Sequence, residues 1–142
     1  MPRRQKLIVS AFILAGIGMF VGAGLIGNSG NTDQSVTNNP AIDALIPNRG
    51  DEVLQQQRVG IDLAPGYRLV RLTISPDAAC RFPVDVTADV RQVDGLQQFI
   101  YEPGQGKPIT ALSSDDNCVI ATYAEIANPT NTNDIEWAFT VS

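Results

Sequence analysis

Hydrophobicity divides this chain into two regimes. Residues 7–27, LIVSAFILAGIGMFVGAGLIG, carry no charge, and Ser10 holds the only polar side chain among them. From residue 57 onward the apolar positions instead recur at every second place, in short runs broken by glycine, proline, asparagine and aspartate. An unbroken apolar run of that length, wound as a helix at about 1.5 Å per residue, spans roughly 30 Å, the hydrocarbon thickness of a bilayer. It predicts a single transmembrane helix. The alternating runs predict strands with one face buried and the other in water.

Val59, Ile61 and Leu63 share one face of a first strand, and Val70, Leu72 and Ile74 share one face of a second. Between them, Ala64-Pro65-Gly66-Tyr67 sets proline and glycine in the central places of a type II turn, so the two strands are expected to pair as a hairpin. Cys80, Phe82, Val84 and Val86 alternate around Pro83, whose missing amide hydrogen predicts an edge strand. Asp94-Gly95 marks a turn before the apolar residues 96–101. Residues 109–112 predict a brief strand, residues 118–126 a longer one, and residues 127–134 a loop. The last strand is the most regular, with Ile135, Trp137, Phe139 and Val141 facing inward and Glu136, Ala138 and Thr140 outward. Residues 51–57 predict a turn or two of helix.

Six or seven short strands without a long helix make the expected fold mainly β, a small antiparallel β-sandwich following the transmembrane helix. The expected divisions are a basic leader over 1–6, the membrane span over 7–27, a polar tether over 28–40 (NSGNTDQSVTNNP) and a β-domain over 41–142. Arg3, Arg4 and Lys6 precede the span, and the residues just after it carry one acid and no base. The positive-inside rule therefore holds the N-terminus in the cytoplasm and leaves the β-domain outside the plasma membrane. A secretory signal cleaved at Val21-Gly22-Ala23 is the competing reading, but the apolar run continues past Ala23 through Gly27. Within the span, Ala11, Ala15, Gly18 and Gly22 fall on one helical face, and Gly18 with Gly22 forms a small-xxx-small pattern suited to pairing with another helix in lipid.

Charge and cysteines narrow the outer part further. Of ten basic residues three precede the span, which leaves seven against fifteen acids beyond it. Such a surface repels nucleic acid. Cys80 and Cys118 lie outside under this topology, where an oxidising compartment permits a disulfide whose loop closure stabilises the fold by roughly 4 kcal/mol. The cysteine spacing gives an immunoglobulin-like layout, but the only tryptophan follows the second cysteine and Asp116 stands where a tyrosine corner needs tyrosine.

Candidate chemistry is sparse. The chain has no histidine, so the commonest general base and metal ligand is missing. Lys107 is the only lysine beyond the span and sits in a turn, a poor partner for serine catalysis. Asp115, Asp116, Asn117 and Asp134 supply oxygen ligands at no spacing that a calcium loop uses, and solvated loop carboxylates are the plainer reading. No catalytic residue, metal or cofactor is assigned. Tyr101 with Glu102, beside a glycine-rich turn, is the candidate partner-binding pair.

Residues 46–67, IPNRGDEVLQQQRVGIDLAPGY, resemble a family of small single-pass membrane proteins of unknown function from high-GC Gram-positive bacteria, with a β-rich extracytoplasmic domain. The resemblance implies topology and class and lends no catalytic residues. The expectation is a non-enzymatic binding or scaffolding protein of the cell envelope, held in the bilayer by residues 7–27 and engaging a protein partner or a second copy of itself. An accessory subunit acting through its membrane helix is the first alternative, and an envelope hydrolase using carboxylates is the second.

Overall fold

The computed structural model describes residues 34–142. The expected membrane span, with Ala11, Ala15, Gly18 and Gly22, lies outside the described residues, among which no helix is long and apolar enough to cross a membrane. The nine strands are β1 (Ile42–Ile46), β2 (Glu52–Val53), β3 (Val59–Leu63), β4 (Tyr67–Ser75), β5 (Val84–Asp85), β6 (Arg91–Gln92), β7 (Gln98–Tyr101), β8 (Asp116–Glu125) and β9 (Asn128–Val141). They form two sheets, one ordered β1-β3-β7-β6 and the other β2-β9-β8-β4-β5. All pairings are antiparallel except β2 with β9. A mainly β, two-sheet sandwich is what the period-two pattern demands.

The core lies between the sheets. Val59, Ile61 and Leu63 from one sheet, and Leu72, Ile74, Val119, Ala121, Trp137, Phe139 and Val141 from the other, are all almost completely buried. The inward assignment of Ile135, Trp137, Phe139 and Val141 holds at every position. These large apolar side chains supply the main drive for closing the sandwich, at about 25 cal/mol for each Å² removed from water.

The expected β3–β4 hairpin does not form. The turn closes as anticipated, with Tyr67 N–H donating to the Ala64 carbonyl at 3.2 Å and Gly66 at φ +93°. Yet β3 pairs with β1 and β7 while β4 pairs with β8 and β5, so the turn carries the chain from one sheet to the other. Both sides of β3 are already occupied. The expected face of β4 also breaks: the register with β8 shifts between Leu69 and Arg71, leaving Val70 39% exposed while Leu72 and Ile74 are buried. One extra residue in the strand reverses the side-chain alternation, as a bulge must.

Other expectations yield to pairing in the same way. Residues 51–57 contain β2 rather than a helix, because Thr140 and Val141 offer it a strand edge. Phe82 is 66% exposed and outside any strand, and only Val84–Asp85 forms the anticipated edge. Residues 109–112 are irregular, although Leu112 is buried. The loop expected over 127–134 is the exposed start of β9, whose asparagines and threonines pair with β8 around a tight turn at Ile126 and Ala127. The end of the expected tether is folded too. Residues Gln34–Thr37 make one helical turn, Val36 packs on the core, and the Asn39 side-chain amide donates to the Tyr123 hydroxyl at 2.9 Å.

The disulfide between Cys80 and Cys118 is formed across a separation of 38 residues. It does not join the two sheets as an immunoglobulin bridge does. Cys118 is the β8 neighbour of Ser75 on β4, so the bridge staples the loop after β4 to the outside of its own sheet.

Two measurements probe this frame. A Cβ at Gly60 would lie 2.0 Å from the Phe99 carbonyl oxygen, so Gly60→Ala is expected to lower unfolding free energy by about 3 kcal/mol or more in urea titration. Replacing both cysteines with alanine is expected to cost roughly 4 kcal/mol by the same method; a loss below about 1 kcal/mol would mean the strands hold the loop unaided.

Candidate binding site

Tyr101 is not at the surface. Its ring is completely buried, and its hydroxyl donates to the Ile109 carbonyl at 2.9 Å and accepts from the Ile109 N–H at 3.0 Å. Burial pushes the phenol pKa up. Tyr101 therefore anchors the irregular residues after β7 and, contrary to expectation, offers no surface to a partner, because β7 turns its side chain into the core. Glu102, the next residue, faces the other way.

Around Glu102 the sheet gathers charge from four separate places. Arg58 Nε lies 2.6 Å from its Oε1 and Arg91 3.6 Å from the same oxygen, while Lys107 Nζ donates to its main-chain carbonyl at 2.7 Å. Lys107 also sits 5.8 Å from the Tyr101 ring centroid, within cation–π reach. The pairings of Val59 with Tyr101 and of Arg91 with Ile100 bring these residues together. No spacing in the sequence announces the cluster, since its members stand at 58, 91, 102 and 107. The carboxylate and the Arg58 and Arg91 side chains are between 40% and 66% exposed, so these pairs orient one another more than they stabilise the fold.

The other singled-out residues brace a loop and the β8–β9 pair. Asn117 is buried and its side chain holds the loop before β8, accepting from Ser113 N–H at 3.1 Å and donating to the Ser113 carbonyl at 3.0 Å. Asp116 accepts from the Thr140 hydroxyl and Asp134 from the Thr122 hydroxyl. Those bonds lie six residues apart along β8, roughly 20 Å in a strand, so the oxygen ligands considered for calcium are not assembled. Cys80, Cys118 and the exposed Glu136 do converge, their sulfur and carboxylate atoms lying within 4.8 Å of one another. Both sulfurs are spent in the bridge and offer no thiolate.

The loop that carries Cys80 is organised by Asp77. Its carboxylate accepts from the Ser75 hydroxyl, from Arg81 N–H at 3.1 Å and from Arg81 Nε at 2.8 Å, while Ser75 Oγ accepts from Phe82 N–H at 3.0 Å. The Ser75 bond, then Arg81, hold the Asp77 carboxyl below its ordinary pKa of 3.8. Asp85 is lowered likewise, first by the Thr87 hydroxyl, and Asp62 is raised, first by burial and then by Asp43.

A carboxyl with a lowered folded-state pKa adds stability above its unfolded value and loses it as pH falls through the folded one; a raised carboxyl does the reverse. Wild-type melting temperature is therefore expected to drop on acidification below about pH 4, and Asp77→Asn to flatten that drop. Parallel slopes for the two proteins in melts from pH 6 to pH 2 would show that Asp77 is not among the groups responsible.

No family model and no curated protein matches the chain. Among solved structures, PcoC of Escherichia coli, a methionine-rich copper resistance protein, superposes with a TM-score of 0.51 at 15% identity, over 73% of this chain and 99% of its own. CopC of Methylosinus trichosporium OB3b superposes with a TM-score of 0.53 at 13% identity, over 73% of this chain and 94% of its own. At such identities these matches establish a shared fold, the two-sheet sandwich that the strand order above describes.

Proposed function

We propose that this protein is a non-enzymatic binding or scaffolding module of the cell envelope, held at the plasma membrane by residues 7–27 with its sandwich on the outer side. The observation that carries the reading is the Cys80–Cys118 bridge in a domain that follows a basic leader and an uncharged apolar run. Bridges persist in oxidising compartments, and the leader's charge directs the C-terminal part there. The carboxylates with displaced pKa values stand apart, Asp77 bracing a loop, Asp85 a turn and Asp62 lying in β3 beside Asp43, instead of meeting in a cleft, which favours binding over catalysis.

Copper itself does not fit this chain's donors. Copper(I) selects thioether and thiolate ligands, and copper(II) favours imidazole. The sequence has no histidine, its two methionines are Met1 and Met19 outside the described residues, and both cysteines are bridged. What the domain offers is carboxylate, amide and hydroxyl oxygen together with clustered arginine, which suit a protein surface better than a soft metal. We therefore take a protein as the ligand.

Recovery of the full-length protein from crosslinked cells in mild detergent tests this. A stoichiometric protein partner is expected, and it should persist when residues 7–27 are replaced by polyleucine. Loss of the partner on that replacement would transfer the function to the membrane helix, and tight stoichiometric copper binding in a chelator competition would overturn the choice of ligand.

A further inference from the structure

The five-stranded sheet is closed on one side over only part of its length. Strand β2 covers the end of β9: Gly50 N–H donates to the Ala138 carbonyl at 2.8 Å, Thr140 N–H to the Asp51 carbonyl at 2.9 Å, and Ser142 N–H to the Val53 carbonyl at 3.0 Å. Those bonds fix which residues of β9 turn their backbone away from β8. They are the even-numbered ones, since the groups on one side of a strand alternate. The register of β9 against β8 is unbroken from Thr132 to Thr140, so Asp134 and Glu136 also direct N–H and C=O outward. Among the described residues no backbone group meets them there.

We propose that this open edge, from Thr132 to Glu136, receives an extended peptide as an added strand, and that the peptide alternates lysine or arginine with apolar or β-branched residues. The inference rests on the protein-binding function above and names the chemistry of the ligand. Backbone groups give the affinity in such pairing and side chains give the selection. On the outer face the edge carries Asp134 and Glu136, so cross-strand neighbours about 5 Å away are favoured when basic. On the inner face it carries Ile135 and Trp137, both in the core, so the intervening residues of the added strand would continue an apolar layer. The sequence of β9 from Thr132 to Trp137 holds no proline and no bulge, two of the devices that blunt an edge against any added strand. A second copy is disfavoured as occupant, because antiparallel pairing of two such edges sets Asp134 and Glu136 of one copy against those of the other.

The test uses full-length protein in detergent micelles and an acetylated nine-residue probe with lysine at alternate positions and valine or threonine between. Binding is read by fluorescence anisotropy, and its location by amide hydrogen exchange. The expected result is slowed exchange at residues 132–136 with the lysine probe, and at least about tenfold weaker binding when glutamate replaces lysine in the probe. Glu136→Pro removes one outward N–H at an edge position where proline is tolerated, and should weaken binding about tenfold with an unchanged melting temperature. Asp134→Lys with Glu136→Lys should reverse the preference between the two probes. Equal binding of both probes, or protection confined to another strand, would overturn the edge assignment. If a cellular partner is captured and its release leaves exchange at 132–136 unchanged, the binding function survives and the edge proposal fails. If no partner is captured, the function fails whatever the probe does.

Discussion

The contact on which the molecule depends is the burial of β3 beneath the β8–β9 pair. Val59, Ile61 and Leu63 lie completely inside, and Trp137, Phe139, Val119 and Ala121 meet the same core from the facing sheet. Because β3 is paired on both sides, it can deliver its neighbours only by passing the chain across to the other sheet at Ala64-Pro65-Gly66-Tyr67. That crossing places β4 beside β8, puts Ser75 opposite Cys118 and brings the following loop within reach of a disulfide. A single packing requirement thus propagates into strand order and covalent structure.

Short edge strands finish the sheets unevenly. Only two residues of β5 and two of β2 pair at the borders of the larger sheet, so among the described residues most of the last and longest strand keeps one side unpaired. Two acidic side chains mark that side. An open edge with like charges resists copies of itself while remaining available to a chain of opposite charge, which is how specificity arises from repulsion as much as attraction.

The same sandwich serves proteins described as copper resistance factors, yet the donors that soft metals require are missing from this domain. Fold and ligand part company because a sandwich is specified by which positions are apolar, and a metal site by a few side chains that the core does not need. Here the sulfurs are spent in a staple and the Tyr101 hydroxyl in holding the segment after β7, while Arg58 and Arg91 pair with Glu102, Arg71 with Asp85 and Arg81 with Asp77.

Sequence alone determined the β class, the inward face of the last strand, the edge position of Val84 and the pairing of Cys80 with Cys118. Each follows from local alternation, from proline's missing donor or from there being two cysteines. Tertiary structure decided the rest. Alternation says that Val59 and Leu72 are buried but not against which sheet, so the expected hairpin became a crossing between sheets. A bulge at Val70 is invisible until β8 supplies the partner register. Tyr101, beside a charged neighbour and a glycine-rich turn, looks exposed in the sequence, whereas strand pairing aims it inward and gives its hydroxyl a backbone partner. The Glu102 cluster and the side of β9 left unpaired among the described residues have no local signature, because both are made by residues far apart in the chain that only the pairing of strands sets side by side.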